Sequence, residues 1–321
     1  MAQGHTSIGV LLMAFGGPNL EEEVEPFLQR LLGQRVPAKR RREVKHRYQL
    51  IGGHSPLLGI TRQQARGLEK SLRAQGTGFK VYVGMKHWPP FIAESLEEIL
   101  EDGIHRVVAL SLSPYESSMS TEPYVLELQR AMIASEGKIE VSVVKGWHTH
   151  PLFLHALAEK LQEGLIQFPL EVRHRVQVIF SAHSLPRKAI AGDPYAEQIE
   201  TTIKGIMGIT GSLPWRLAFQ SGRGDREDWL GPEVSTVLRE LMEKGNREVL
   251  VVPVGFVTDN VETLYDIDIL YKRQAESMGM SFRRSPCLND SDRFIEALCS
   301  IVNEHLENPI RRFQDEIEVG S

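Results

Sequence analysis

The segment VIFSAHSLP, Val178 to Pro186, reads as a buried strand that ends on an imidazole. A histidine closing a strand has two uses. It can donate to a carbonyl in a turn, the ordinary structural outcome for a lone histidine, or it can accept a proton or ligate a metal near neutral pH. Ser181, Ser184 and Pro186 suit a tight turn that would orient the ring of His183. A second concentration of chemistry follows the apolar run EVLVVPVGF, where Thr258-Asp259-Asn260-Val261-Glu262 leads into Thr-Leu-Tyr-Asp266. Asp259 and Glu262 have the spacing of a capping box, with Asp259 as N-cap and Glu262 reaching back to its amide. Asp266 lies at i+4 from Glu262 and i+7 from Asp259, which would put three carboxylates near one face of a helix. Like charges so placed repel, and a bound cation or a stored proton relieves them. Both readings stay open at this level.

Two other strand ends carry unusual residues, Phe15-Gly16-Gly17-Pro18 and Ser113-Pro114-Tyr115-Glu116. The glycine pair lacks the G-x-G-x-x-G spacing and no Walker lysine follows, which argues against dinucleotide or nucleoside triphosphate binding. In RYQLIGGHSP, Arg47 and Tyr48 either anchor an anionic ligand or close a helix end. His148 and His150, spaced i, i+2, fit a solvated loop better than a metal on a strand.

The elements that must position these residues follow from hydrophobic pattern. SIGVLLMAF, KVYVGM, HRVVALSL, IEVSVVKGW, VQVIFSAH, WRLAFQS and EVLVVPVGF are continuously apolar rather than alternating, as parallel strands covered on both faces are. Between them AESLEEILEDG and GPEVSTVLRELMEKG have helical spacing and a terminal glycine suited to a C-cap. The expected architecture is α/β and doubly wound, with strand ends converging on one edge. VLLMAFGGP also lies over VIFSAHSLP without a gap, placing Phe15 opposite His183, and VVALSLSPYESS roughly matches VLVVPVGFVTDN. Two similar lobes facing a common cleft would result, with the crossover between Lys145 and Leu170.

Composition sets outer bounds. A length of 321 residues with 41% apolar content supports one large α/β domain or two lobes. The net charge of −5 comes without a long basic block, so nucleic acid is not an expected partner. Cys287 and Cys299 stand alone, which supports neither a disulfide framework nor a cysteine-built metal cluster and fits a reducing compartment. No stretch approaches the ~18 apolar residues of a membrane span, and the start lacks a basic leader, so a cytoplasmic location and no transmembrane segment are expected. Residues 311–321 read as a polar tail.

LLMAFGGP, RYQLIGGHSPL, YVGMKH, FSAHSLP, QSGRGDREDWLGP and VPVGFVTDNVETLYDID resemble, in this order, the motifs of the ferrochelatase family, which inserts ferrous iron into a porphyrin in haem synthesis. The likeness covers nearly the whole chain, and FSAHSLP is the family's signature. It implies two similar Rossmann-like lobes, residues 6–145 and 146–310, each a parallel sheet flanked by helices, around a central cleft, with the last helix able to pack back on the first lobe. It implies that His183 is the histidine beside the metal and Glu262 its carboxylate partner across the cleft, both catalytic and both metal ligands. Phe15, Arg47, Tyr48, Ser55, Tyr124 and Trp229 fall at porphyrin-binding positions. Asp259 and Asp266 belong to an acidic run that carries protons or metal. Fe²⁺ would be substrate, with no organic cofactor. The partners implied are porphyrin and ferrous iron, with a haem-accepting protein as a transient third.

Three positions depart from the family pattern. Asn260 stands where many members have a titratable histidine, Phe15 where some have an axially ligating tyrosine and others methionine, and Leu31 or Leu32 where a basic propionate contact occurs. YVGMKHWPPFIAE, ITRQQA and DWLGPEV resemble the soluble coproporphyrin III enzymes of Gram-positive type more than those using protoporphyrin IX. The alternatives are a sirohydrochlorin chelatase for cobalt or nickel, and a non-catalytic haem- or metal-binding protein of the same fold.

Overall fold

The computed structural model describes residues 7–33, 37–75, 78–222 and 228–307, and the tail expected at 311–321 lies outside them. The first sheet contains β1 (Ile8–Ala14), β2 (Phe79–Met85), β3 (Arg106–Ser111) and β4 (Glu140–Val144); the second contains β5 (Gln177–His183), β6 (Trp215–Gln220), β7 (Glu248–Val252) and β8 (Ser281–Arg284). All pairings are parallel. The strand order β2-β1-β3-β4 recurs as β6-β5-β7-β8. Thus β1 and β5 occupy equivalent places, as do β3 and β7, and the duplication read from VLLMAFGGP and VIFSAHSLP is a repeat of topology. β8 escaped the apolar-run criterion because it has four residues and only one of them is buried.

Among the described residues ten α-helices connect or follow the strands: α1 (Val24–Leu32), α2 (Ala38–Leu50), α3 (Leu57–Arg73), α4 (Ile92–Glu101), α5 (Thr121–Ala134), α6 (Pro151–Leu165), α7 (Tyr195–Thr210), α8 (Val234–Glu243), α9 (Lys272–Ser277) and α10 (Asp292–Glu307). α4 and α8 stop where the glycines foretell. Gly103 and Gly245 take the left-handed conformation, at φ +73° and +82°, just past the helix ends. α6 begins on Pro151, whose missing N–H costs nothing in a first turn, and carries the crossover between the sheets.

One buried cluster runs from β1 and β3 through Trp147 and Phe153 to β5, α7 and α10, so the sheets share an apolar interior. The last helix packs on α3 as well as α6, and its Cys299 Sγ accepts from Gln75 Nε2 at 3.4 Å. Polar contacts also cross between the lobes. Tyr115 donates to Val254 O at 2.9 Å, Gln64 donates to Thr258 Oγ1 at 3.0 Å, and Ser117 and Ser118 donate to Asp193. Buried hydrogen bonds of this kind leave little freedom of orientation. They hold the carboxyl ends of β1, β3, β5 and β7 together, where open α/β sheets bind ligands.

Beyond β7 the chain forms a π-helix, Glu262–Tyr271, that continues into α9. Its i→i+5 bonding is rare and is found disproportionately at functional sites.

Candidate active site

His183 is the last residue of β5, and its carbonyl is fixed by the Tyr195 hydroxyl at 3.1 Å. The turn beyond it is zipped to the segment around Trp229. Ser184 N–H donates to Gln220 O, Ser184 Oγ donates to Leu230 O at 2.7 Å, and Leu230 N–H donates to Leu185 O. This is the orienting turn that Ser184 and Pro186 suggest; Ser181 Oγ is buried without a hydrogen-bond partner. β7 runs beside β5, and the pairing continues past its end through Gly255 N–H to Ser181 O at 3.0 Å. The π-helix therefore starts next to the end of β5.

As a result, His183 Nδ1 donates to Glu262 Oε2 at 3.0 Å. The expectation that Glu262 faces His183 from across the cleft is corrected: both arise from the second sheet, at neighbouring strand ends, and they touch. Their side chains are 36% and 29% exposed, which keeps the pair open to a ligand. Burial disfavours the imidazolium, but Glu262 and then Asp266 outweigh it, so the ring holds its proton more strongly than an ordinary histidine.

The capping-box reading of Asp259 and Glu262 gives way as well. Asn260 Oδ1 accepts from Glu262 N–H at 2.8 Å, so the residue that replaces a titratable neighbour closes the turn into the helix. Asp259 points away from the pair, toward Arg284 Nη1 at 2.9 Å and Asn289 Nδ2 at 2.8 Å. Burial works to raise its carboxyl, and Arg284, Asn289 and Thr263 hold it below the ordinary value instead. The three carboxylates therefore do not share one face, and only Glu262 and Asp266 remain together. Arg284 also grips Asp268 through two bonds of 2.7 and 2.9 Å, tying β8 to the π-helix.

Asp266 is 3% exposed. Burial, with Glu262 adding to it, pushes its carboxyl up to about 6, while Ser221, Arg47 and His183 pull the other way. Ser221 Oγ donates to Oδ2 at 2.5 Å, and Arg47 Nη1 lies 3.4 Å from Oδ1 with its guanidinium 5.0 Å from the centre of the Tyr265 ring. Arg47 comes from α2, so this ion pair links the first lobe to the second. Tyr48, next to it, is buried with Val24, Phe27 and Leu28, and burial, then the Glu262 charge, push its phenol up.

A sequence model of the family described as Ferrochelatase matches residues 7–306. The chain belongs to the ferrochelatase family. A ferrochelatase of Herpetosiphon aurantiacus is 39% identical over 296 residues, covering 91% of this chain and 97% of that protein. One of Geotalea uraniireducens is 40% identical over 314 residues, covering 92% and 97%. One of Deinococcus radiodurans is 38% identical over 299 residues, covering 92% and 95%. Among solved structures, SirB of Bacillus subtilis with Fe³⁺ aligns with a TM-score of 0.58 at 11% identity over 93% of this chain and 95% of SirB. At that identity it speaks for the two-lobed fold alone.

The remaining positions that resemble ferrochelatase binding residues are dispersed. Phe15, 44% exposed at the end of β1, packs its ring on His87 with centroids 4.4 Å apart. Burial, then Lys86 and Arg30, push His87 down to about 4, so it is neutral at physiological pH. Gly16 has φ +89° with Trp88 N only 2.9 Å from where a Cβ would stand, which accounts for the glycine there. Ser55 is buried and caps the start of α3 through Leu57 N–H at 3.3 Å. Tyr124 is 6% exposed, packed with Leu11, Met13 and Leu128 in the first lobe. Trp229 is half-buried beside Pro186, on the turn after His183. His148 and His150 are half-buried rather than solvated, with His150 Nε2 3.0 Å from Glu304. No group of three or more His, Cys, Asp or Glu among the described residues is arranged to hold a metal. Sequence reasoning missed Gln220, Ser221, His87 and Arg284. Gln220 and Ser221 end the recognisable apolar run WRLAFQS, and a polar pair leaving a strand was the available signal.

Proposed function

We propose that the protein inserts Fe²⁺ into a porphyrin in haem synthesis, and that coproporphyrin III is the ring it takes. The observation that carries this reading is the His183–Glu262 contact at neighbouring strand ends, with both side chains partly exposed. Insertion exchanges two pyrrole N–H protons for one Fe²⁺, and no electron moves. The protein must therefore accept protons and offer the incoming iron a replacement for water. With Nδ1 committed to Glu262, Nε2 is the ring nitrogen of His183 left to accept a proton. That nitrogen takes the first pyrrole proton, and the charges of Glu262 and Asp266 favour the imidazolium that forms. Glu262 supplies an oxygen ligand suited to ferrous iron beside the imidazole. Asp266, with its carboxyl near 6, takes the second proton close to neutrality. Holding the macrocycle bent turns its nitrogen lone pairs out of the ring plane and lowers the barrier to metal entry.

Charge favours coproporphyrin. Lys39, Arg42 and Lys45 are exposed on α2 at i, i+3 spacing, make no ion pair among the described residues, and precede Arg47. A ring with four propionates gains more from such a stripe than one with two. The test is anaerobic incubation of the purified protein with Fe²⁺ and, in turn, coproporphyrin III, protoporphyrin IX and sirohydrochlorin, following loss of free-base absorbance. The reading predicts the fastest turnover with coproporphyrin III. Turnover with sirohydrochlorin alone would replace it by the sirohydrochlorin chelatase, and tight haem binding without turnover by a non-catalytic protein.

A further inference from the structure

We propose that Ser221 is a positioning residue, whose hydroxyl holds Asp266 beside the His183–Glu262 pair while the preceding Gln220 anchors the same loop to Glu262 and to the turn after His183. The proposal rests on the reading of this site as a metal-insertion centre.

Gln220 lies opposite His183 in the β5–β6 register and is fully buried. Its Nε2 donates to Glu262 O at 3.2 Å, and its backbone carbonyl accepts from Ser184 N–H, in the turn just beyond His183. One side chain and its own peptide thus bind the start of the π-helix and the turn after β5. Ser221 follows with φ +61°, a conformation uncommon outside glycine. Glycine would take it without strain, but glycine has no hydroxyl. The serine spends that conformation on one contact, Oγ to Asp266 Oδ2.

The charged or titratable groups around Asp266 are Arg47 from α2, Glu262 and Tyr271 on its own helix, and His183 at the end of β5. Arg47 holds Oδ1 from the opposite lobe, and Ser221 holds Oδ2 from the lobe that carries the pair. Without the hydroxyl the carboxylate has only the cross-lobe partner. It would rotate toward α2 and away from the proton source, and its charged form would lose a hydrogen bond.

The test compares wild type with Ser221→Gly, which keeps the backbone and removes the hydroxyl, and Ser221→Asn, which tolerates the left-handed region and restores an N–H donor. Both kcat and KM for Fe²⁺ insertion are measured across the neutral pH range, and the Asp266 carboxyl is titrated by ¹³C NMR in the same proteins. Ser221→Gly should lower kcat about tenfold, the worth of one hydrogen bond to a charged group, with porphyrin KM little changed. The acid limb of its pH profile and the Asp266 titration should both move to higher pH, and Ser221→Asn should recover most of each. An unmoved Asp266 titration in Ser221→Gly overturns the proposal, as does an equal loss in kcat and KM that Ser221→Asn fails to rescue. If wild type inserts no iron, the functional reading falls, and the titration still decides whether Ser221 holds Asp266.

Discussion

Asp266 sits in the protein at a cost, and the cost can be measured. It is 3% exposed, and burial raises its carboxyl from the ordinary 3.8 to about 6. A carboxyl raised on folding stabilises the protein fully below the unfolded value, and that contribution is lost as pH rises through the folded value. The gap between 3.8 and about 6 is worth about 3 kcal/mol. Asp266→Asn keeps the shape and can still accept from Ser221 or Arg47, but it never ionises. Between pH 3.8 and just above pH 6, wild type should therefore lose about 3 kcal/mol that the variant retains. Urea unfolding followed by tryptophan fluorescence at a series of pH values gives both curves, and their difference cancels the other carboxylates. The expected difference rises across this window and is flat above it. Parallel curves would refute the reasoning, because they would mean that Asp266 titrates alike in the folded and unfolded chains. If Asp266 also takes a pyrrole proton, the more stable variant should insert iron more slowly, as expected where function and stability compete for one buried group.

Other outcomes follow from individual contacts. Arg47→Gln removes the cation beside Asp266 and should raise porphyrin KM about tenfold, with the acid limb of activity moving to higher pH because Arg47 holds the Asp266 carboxyl down. Steady-state kinetics against pH reads both. Gly255→Ala places a Cβ 2.7 Å from Ala182 Cα, one residue before His183, and should cost about 1–3 kcal/mol of stability; denaturant midpoints check it. Raising the ionic strength from 0.01 to 0.15 M shortens the Debye length from about 30 to about 8 Å. If α2 attracts the ring, KM for coproporphyrin III should rise more than KM for protoporphyrin IX over that range.

Much of the fold was legible because parallel strands buried on both faces write themselves as continuous apolar runs. β1, β5 and β7 were visible in this way, and the match of VLLMAFGGP to VIFSAHSLP reflected a shared place in two sheets of the same order. β8 was not, since four residues with alternating exposure leave no such run. The site was legible in kind and less so in arrangement. His183 and Glu262 are 79 residues apart, and nothing in their spacing says that β5 and β7 are neighbours, which is what brings them into contact rather than across a cleft. Helical spacing placed Asp259 with the other acids, but Arg284, from β8, pulls it away. Asn260, which reads as the loss of a titratable group, caps the turn. The conformation of Ser221 was hidden, because a positive φ at serine has no sequence signature.

The most direct test is the initial rate of anaerobic Fe²⁺ insertion into coproporphyrin III by wild type and His183→Ala, with porphyrin binding measured on the same samples by fluorescence quenching. Wild type should turn over, and His183→Ala should bind the ring with little change while losing at least about 100-fold in rate, the scale of a positioned proton acceptor. Insertion by His183→Ala at the wild-type rate would contradict the assignment of this imidazole as the group that receives the pyrrole proton.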